Sequence, residues 1–472
     1  MIPGRLFLVL GALVSGAAAG AGLPDAVGAA IDAAGLPRDS VSIVVEDAQS
    51  GAARYVLNAA TPRSPASTLK LVTTYAALDL LGPSYTWRTR AWVTGTLHGG
   101  RLNGDLIIEG GGDPQLTAER WAQFAREVVN SGVTRIGGDV IIDRSLYEDQ
   151  AGSADDFDGL GFRVYNVLPD ALLVNLQSVE VHFVHDDGGR LTLKADPAPA
   201  NLELVNHVGA TKGGCLTGLA GIHVTDPDPE KLLFQGSLAQ RCPPLALRRA
   251  VLSAPTFAYG TFIANFRAAG GTVAGELKLA PRPPEARPLF EFESPPLGEI
   301  VRVVNKWSIN AMARMLYLTL GLDRNGAPAS ESKSQATLAA WLAGRHVECP
   351  ELVMDNGSGL SRAARISASC LAGLLDDAHR SPYFPELAAS LPIAGADGTL
   401  RHRFSEMKSD GRIRLKTGTL GDVAALAGWL VTPAGEPLSV VVFVNAPGAG
   451  FGAGQSITDA VIRDALAANP AQ

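Results

Sequence analysis

The sequence predicts an α/β domain that is interrupted by a large insertion. Strand-like segments occur near residue 42 and again over residues 424–445, and a helical pattern over 455–468 closes the chain. Three short motifs that must meet in space are divided between these two outer parts. Because segments that build one site fold together, we expect one domain whose halves are separated by an insertion from about Trp92 to Pro296.

The chain begins with the pattern of an export signal. Arg5 precedes an apolar run from Leu6 to Val14, and small residues follow it. Cleavage after Ala19 or after Ala21 satisfies the small-x-small rule, and both remain open. The apolar run is too short to span a bilayer comfortably. We therefore expect a signal peptide over 1–21, a periplasmic or cell-envelope protein, and no stable membrane insertion after signal removal.

Composition excludes some function classes. Hydrophobic residues make up 46% and charged residues 18% of the 472 residues, which is typical of a chain that forms a globular core. The formal net charge is −7, and there is no block of lysine or arginine. A nucleic-acid partner is not expected, because such proteins need a basic surface for the phosphates.

The four cysteines allow three disulfide connectivities in an exported protein. The pairs Cys215 with Cys242 and Cys349 with Cys370 respect the probable domain divisions, and free thiols remain possible. A metal site is not expected, since His182 and His185 lie on opposite faces if residues 179–184 form a strand. No cofactor is expected.

Alternation of apolar residues, turn residues and helix signals predicts the following elements in order. They are a hairpin over 42–47 and 54–58, strands 91–96 and 104–109, helix 117–129, strand 135–143, a small β module over 176–244, helix 256–269, strand 272–279, a linker over 281–286, a helical stretch 298–320, and a hairpin over 424–431 and 438–445.

The first motif opens a helix that runs from Ser67 to the stop at Gly82 and Pro83. Its apolar residues do not keep to one stripe, so the helix should be buried on most sides. A serine and a lysine three residues apart project on the same face, which places Lys70 within reach of the Ser67 hydroxyl. Two other Ser-x-x-Lys copies, Ser330–Lys333 and Ser405–Lys408, are interpreted as solvated surface.

The second and third motifs distinguish Ser67 from the other two copies. Ser308-Ile309-Asn310 interrupts the helical stretch 298–320, and Lys416-Thr417-Gly418-Thr419 begins near the end of a strand-like segment. Each occurs once in the chain, and the order Ser-x-x-Lys, Ser-x-Asn, Lys-Thr-Gly is the one that a class of acyl-transferring serine enzymes requires. The ordered trio therefore predicts covalent catalysis by a serine.

These residue types can share the work of acyl transfer. Ser67 is the predicted nucleophile, and Lys70 can serve as its base if burial and a second nearby cation, Lys416, keep it neutral. Ser308 is expected to relay a proton toward the departing amine, and Asn310 to hold Lys70 and a substrate amide.

The third motif is expected to hold the substrate. Lys416, on an edge strand, with the hydroxyls of Thr417 and Thr419 suits a free carboxylate. Backbone N–H groups of Ser67 and Thr419 would form the oxyanion hole. Gly418 belongs to the same binding segment.

With its motifs placed, the sequence resembles the penicillin-recognising serine peptidases, and within them the D-alanyl-D-alanine carboxypeptidase/endopeptidases of the penicillin-binding protein 4 type, the low-molecular-mass class C group. The insertion between the first and second motifs is the most specific feature of the resemblance. Further segments that read like this family are Gly111–Pro114, Asp355–Arg362, Leu391–Leu400 and Lys416–Leu420.

The resemblance implies a β-lactamase/transpeptidase-like three-layer domain, in which an antiparallel sheet has helices on both faces. It also implies a nested two-domain insertion. The expected division is a catalytic domain over 22–92 and 297–472, a second domain over 93–175 and 245–296, and a small β domain over 176–244.

The resemblance further implies an activity. The expected enzyme cleaves D-Ala-D-Ala ends of stem peptides and D-amino cross-links of peptidoglycan through a Ser67 acyl-enzyme, and β-lactam antibiotics acylate it. Arg362 and Tyr165, the latter with Asp158, are expected to contact the side chain of the substrate. A serine β-lactamase-like hydrolase and an inactive peptidoglycan-binding scaffold are the alternatives.

Overall fold

The computed structural model describes residues 22–467 except 150, 151, 187, 189, 216 and 408, so the predicted signal peptide lies outside the described residues. The α-helices are α1 (Asp25–Ala33), α2 (Lys70–Leu81), α3 (Ala118–Asn130), α4 (Ala254–Ala268), α5 (Leu297–Trp307), α6 (Asn310–Asn325), α7 (Glu331–Gly344), α8 (Ala368–Arg380), α9 (Phe384–Ser390) and α10 (Ala453–Ala467). The strands are β1 (Val41–Asp47), β2 (Ala53–Leu57), β3 (Arg88–Val93), β4 (Thr96–His98), β5 (Arg101–Asn103), β6 (Leu106–Glu109), β7 (Arg135–Ile136), β8 (Val140–Asp143), β9 (Ser178–His185), β10 (Leu191–Asp196), β11 (Glu203–Thr211), β12 (Ile222–Asp228), β13 (Lys231–Ala239), β14 (Leu245–Ala250), β15 (Thr272–Val273), β16 (Leu277–Leu279), β17 (Arg287–Glu293), β18 (Ile413–Leu420), β19 (Val423–Val431) and β20 (Pro437–Asn445).

A five-stranded antiparallel sheet, in the order β18-β19-β20-β1-β2, joins the two ends of the chain. Side chains on successive residues of a strand point to opposite faces. Ile43 and Val45 accordingly pack with helices α1 and α10, whereas Val44 packs with α2 and α8 on the other face. This is the predicted three-layer arrangement, and it leaves β18 at the edge of the sheet.

Helix α2 lies in the core beneath this sheet. Every residue from Lys70 to Leu78 is buried, as the absence of a single apolar stripe predicted. The first turn, Ala66–Leu69, is a 3₁₀-helix, so Ser67 precedes the regular α-helix. Gly82 ends the helix with φ +79°, a backbone conformation that favours glycine.

Two mixed sheets form much of the insertion, in the orders β16-β8-β6-β3-β17 and β15-β7-β5-β4. Helices α3 and α4 pack together against them through aromatic side chains such as Trp121 and Phe262. Strand β17 has no counterpart among the predicted elements. It pairs antiparallel with β3 and returns the chain to the catalytic half.

The prediction of unbroken strands over 135–143 and 272–279 was wrong. Segment 135–143 forms β7 and β8, and segment 272–279 forms β15 and β16, with the two strands of each segment in different sheets. The two segments break at matching positions because β15 pairs with β7 and β16 pairs with β8. Glycine permits the crossing between the sheets: a Cβ at Gly138 would lie 2.2 Å from Asp105 Oδ1, and one at Gly275 would lie 2.3 Å from Asp139 Oδ1. The apolar pattern persists across these glycines, so it did not reveal the breaks.

Six strands between residues 178 and 250 form two three-stranded sheets, β10-β9-β14 and β11-β13-β12. The disulfide Cys215–Cys242 lies in this part, and Cys349–Cys370 joins α8 to the loop after α7. Both are the pairs that the domain divisions favoured. No group of His, Cys, Asp or Glu able to hold a metal, and no helix long and apolar enough to cross a bilayer, occurs within the described residues.

Ser330 differs from the prediction of solvated surface. It is the buried N-cap of α7, and its Oγ accepts a hydrogen bond from the Lys333 backbone N–H. The Lys333 ammonium turns away and donates to the carbonyl oxygens of Gly326 and Pro328. Ser405 is exposed, and its partner Lys408 lies outside the described residues.

Candidate active site

Lys70 lies at the centre of a group of polar atoms contributed by distant parts of the chain. Its Nζ is 2.9 Å from Ser67 Oγ, 2.7 Å from Asn310 Oδ1 and 2.6 Å from the Ser358 carbonyl oxygen. Ser67 is three residues away in sequence, but Asn310 begins α6 and Ser358 lies in the loop before α8. The packing of α2 against α6 therefore brings the first and second motifs together.

The third motif approaches from the edge of the sheet. Lys416 Nζ donates to Ser308 Oγ at 2.8 Å and to the Thr417 carbonyl oxygen at 2.9 Å. Ser308 lies between α5 and α6 in a left-handed conformation, with φ 59° and ψ 39°. The predicted catalytic residues thus form two hydrogen-bonded groups, Ser67 with Lys70 and Asn310, and Ser308 with Lys416. The two groups meet where Ser67 and Ser308 line a common cavity.

Both amines are fully buried. Burial, and secondarily the charge of Lys416, lowers the pKa of Lys70 well below that of an ordinary lysine. Burial also lowers the pKa of Lys416 to about 7. Neither ammonium has a carboxylate partner among the hydrogen bonds and ion pairs of the described residues, so desolvation is not offset by an opposite charge.

The backbone around Ser67 is tightly packed against the edge strand. A Cβ at Gly418 would lie 2.7 Å from the Pro65 carbonyl oxygen and 3.1 Å from the Ser67 nitrogen. Ala66 has φ 44°, and a Cβ at Gly359 would lie 1.8 Å from the Ala66 carbonyl oxygen. Glycine at 418 and 359 is therefore a steric requirement for placing the Ser67 backbone beside β18.

A cavity of about 300 Å³ opens at the Ser67 hydroxyl. The side chains of the second and third motifs line it together with residues that the motifs did not indicate. The lining residues are Ser67, Ser308, Thr399, Arg403, Thr417, Thr419 and Gln455. Thr399 Oγ1 lies 2.8 Å from Thr417 Oγ1.

Sequence reasoning missed Arg403, Gln455 and the Ser358 carbonyl. Arg403 and Gln455 stand in no recognisable motif, and no signal in a single sequence could have found them. Ser358 follows Asn356-Gly357, a pair that is typical of turns, and Gly357 has φ 71°. Its catalytic relevance depends on a backbone oxygen, which carries no sequence signal.

Tyr165 and Arg362 are not among the residues that line the cavity at Ser67, and Tyr165 contacts a motif residue through its backbone. Asn310 Nδ2 donates to the backbone carbonyl of Tyr165 at 2.9 Å, while the exposed Tyr165 hydroxyl donates to Asp158 at 2.8 Å. Arg362 lies over the Phe157 ring, 4.5 Å from its centroid, and 3.7 Å from Asp422. The insertion thus contacts the Asn310 amide of the second motif through a main-chain atom.

Comparison with protein families gives the affiliation of the chain. Residues 24–467 match the model of the D-Ala-D-Ala carboxypeptidase 3 (S13) family. The chain belongs to that family. The predicted membership and the predicted serine-peptidase class are therefore confirmed.

Two curated relatives support the same affiliation. The chain is 30% identical over 419 residues to the D-alanyl-D-alanine carboxypeptidase of Actinomadura sp., covering 84% of this chain and 76% of that protein. It is 25% identical over 397 residues to D-alanyl-D-alanine carboxypeptidase DacB of Haemophilus influenzae, covering 82% and 81%.

A solved structure confirms the fold. Penicillin binding protein 4 of Haemophilus influenzae superposes with a TM-score of 0.77 at 22% sequence identity, covering 94% of this chain and 99% of that chain. The predicted three-layer fold interrupted by an insertion is the fold of this family member.

Proposed function

We propose that this chain is an exported serine DD-peptidase that cleaves the terminal D-Ala from peptidoglycan stem peptides, and D-amino cross-links, through an acyl-enzyme on Ser67. The single observation that carries the proposal is the set of three atoms around Lys70 Nζ. Asn310 Oδ1 and the Ser358 carbonyl can only accept hydrogen bonds, whereas Ser67 Oγ can also donate one.

This difference between the three partners of Lys70 indicates that Lys70 acts as the base for Ser67. A neutral amine has two N–H bonds and one lone pair. If the N–H bonds point to Asn310 and Ser358, the lone pair faces the Ser67 hydroxyl at 2.9 Å. The lowered pKa of Lys70 makes the neutral form accessible near neutral pH.

Acylation then proceeds in two steps. Lys70 takes the Ser67 proton while Oγ attacks the acyl-D-alanine carbonyl, and the N–H groups of Ser67 and Thr419 receive the negative charge on oxygen. The C–N bond breaks as the departing amine takes the proton of the Ser308 hydroxyl, and Lys416, whose Nζ lies 2.8 Å away, replaces it. Lys70 keeps the Ser67 proton until deacylation, when it returns that proton to Oγ and the proton lost by the attacking water restores Lys416. Water later cleaves the ester.

Recognition of the free carboxylate belongs to the leaving-group end of the cavity. Thr417 and Thr419 present hydroxyls there, beside the glycine that permits the close approach at 418. The buried Lys416 ammonium lies behind them, hydrogen-bonded to Ser308 on the cavity wall, and supplies positive charge from that position. We assign substrate side-chain contact to Arg362 and Tyr165, because Arg362 lies 3.7 Å from Asp422, which follows the end of β18, and the Tyr165 carbonyl binds Asn310.

The proposal includes export to the cell envelope, where peptidoglycan lies, and the three-part division of the chain described above.

The position of strand β14 affects one boundary of that division. Because residues 245–250 pair with β9, the small β domain is better drawn to residue 250 than to 244.

Mass spectrometry of the purified chain after incubation with penicillin tests the function. We expect one added penicilloyl mass on the wild type and none on Ser67→Ala. Purified sacculi treated with the wild type should lose terminal D-Ala and cross-links. Rapid turnover of a chromogenic cephalosporin without loss of D-Ala would instead identify a β-lactamase, and no label on the wild type would identify a scaffold.

A further inference from the structure

Ser308 has an unfavourable backbone conformation, which contacts with neighbouring residues must stabilise. The left-handed region is disfavoured for a residue with a Cβ, because the Cβ then approaches the following carbonyl oxygen. Ser308 adopts it between two helices, so that its hydroxyl meets Lys416 Nζ at 2.8 Å. A residue that fixes this turn would therefore determine the geometry of proton transfer without touching the substrate.

Lys306, two residues before Ser308, forms an ion pair with Asp397, which is distant in the sequence. Its side chain is 6% exposed, and Nζ donates to Asp397 Oδ2 at 2.6 Å. The other carboxylate oxygen of Asp397 accepts the Ile393 backbone N–H at 2.8 Å. A buried ammonium needs such a partner, since removal of the carboxylate leaves its charge uncompensated.

The two residues that follow Asp397 link Lys306 to the Lys-Thr-Gly strand. Gly398 has φ 55°, and a Cβ there would lie 2.5 Å from the Lys306 carbonyl oxygen, so the two backbones touch. Thr399 then reaches the cavity and lies 2.8 Å from Thr417 Oγ1. The Asp397 loop therefore contacts the Ser308 turn on one side and the Lys-Thr-Gly strand on the other.

We propose that Asp397 is a positioning residue for the reaction: its ion pair with Lys306 clamps the turn that carries Ser308 and, through Gly398, sets Thr399 against Thr417. The inference rests on the proposed role of Ser308. The clamp gives the segment Asp397-Gly398-Thr399 a role in aligning two hydroxyls of the cleft, those of Ser308 and Thr417.

The rate of acylation by fluorescent penicillin tests the clamp. Asp397→Asn keeps an acceptor for the Ile393 N–H but removes the charge that holds Lys306. We expect acylation to slow by about 10- to 100-fold. Glu109→Gln, which removes a carboxylate paired with Arg90 and Arg282 in the insertion, is the matched control and should label within about twofold of the wild type.

A double-mutant cycle distinguishes positioning from general loss of structure. If the clamp acts through Ser308, Asp397→Asn should slow acylation less than about threefold in a Ser308→Ala background. Should Asp397→Asn fold poorly because Lys306 is unpaired, Lys306→Met/Asp397→Asn removes the buried charge and should show the same slow labelling in a folded protein.

The outcomes separate the two proposals. The clamp is overturned if folded Asp397→Asn, or folded Lys306→Met/Asp397→Asn, labels at the wild-type rate. It is also overturned if Asp397→Asn slows acylation equally in the wild-type and the Ser308→Ala backgrounds. If the wild type takes no label at all, the proposed function fails and the clamp with it.

Discussion

Lys70 is the residue whose protonation decides whether the site can act. Burial, assisted by the charge of Lys416, lowers the pKa of its amine and so favours the neutral form that the proposed base requires. Protonation at low pH would convert the lone pair that faces Ser67 into a third N–H, and the base would be lost. The direction of this effect follows from the sign of the shift: the active form is present above the lowered pKa and disappears as the pH falls through it.

We predict that the acylation rate, measured with penicillin from pH 5 to pH 10, declines in acid because Lys70 gains a proton. It should also decline as the pH rises above about 7, because Lys416 then loses the charge proposed to attract the carboxylate. An ordinary lysine, with a pKa of about 10.4, would instead give a rate that climbs through this whole range. Lys70→Arg supplies the control. Its guanidinium stays charged, so the variant should remain unlabelled at every pH while its circular dichroism matches the wild type.

Glycine at 418 gives a second prediction for a single residue. Gly418→Ala would force backbone apart at Pro65 and Ser67, displacing donors of the oxyanion hole. Loss of one such donor costs about 10²- to 10³-fold in acyl transfer, and we expect a fall of that size in the acylation rate.

Gly421→Ala is the matched control, because its Cβ would meet only the Phe451 ring at 3.8 Å, an ordinary contact. It should react within about twofold of the wild type. Equal rates in the two variants would show that the close approach at Gly418 does not matter.

At the scale of elements, two carboxyl groups meet where β1, β20 and α8 pack. Glu46 on β1 lies beside Asp376 on α8, and Ser439 Oγ donates to Asp376 at 2.7 Å. Burial, and then the charge of Asp376, raises the pKa of Glu46 to about 8. Between pH 4.5 and about 8, the Glu46 carboxyl is therefore protonated in the folded chain and ionised in the unfolded chain. The free energy of unfolding consequently falls as the pH rises through this window.

We predict that Glu46→Gln melts about 2–4 °C above the wild type at pH 8.5, because the amide removes the repulsion and can donate to Asp376. The gain should vanish near pH 4, where Glu46 is protonated. Thermal unfolding at the two pH values measures this. A variant that is less stable than the wild type at both values would contradict it.

Elements were predictable where their signals were local. Helix α2 has a glycine after it and apolar residues on every side, so its end and its burial both followed from the sequence. Its predicted start at Ser67 differs, because the first turn is a 3₁₀-helix and the α-helix begins at Lys70. The strands over 135–143 and 272–279 were not predictable as pairs of strands, because their breaks depend on which sheet each half joins. Ser330 was misread because a helix N-cap and a surface serine look alike until the neighbouring helix is placed.

At the scale of the whole molecule, the sequence could predict which residues form the site but not all the atoms that complete it. Ser67, Ser308 and Lys416 were recognisable because side-chain chemistry in a fixed order is a sequence pattern. The carbonyl groups of Ser358 and Tyr165, which bind Lys70 and Asn310, belong to the backbone. Any residue supplies a carbonyl, so only the folded chain shows where one is used.

The contact between Asn310 and the Tyr165 carbonyl couples the insertion to the catalytic half of the chain. Asn310 also binds Lys70, so a ligand that immobilises this amide should also restrain the segment that carries Tyr165. We predict that acylation by penicillin slows amide hydrogen exchange over residues 155–166, as well as around Ser67.

The sheet β11-β13-β12 provides the internal control for this measurement. It has no hydrogen bond to the catalytic residues among the contacts of the described chain, and exchange over residues 203–239 should not change. Protection limited to the surroundings of Ser67 would show that the insertion does not respond to the cleft. Protection spread equally over 203–239 would indicate general stabilisation of the fold and not a path through Asn310.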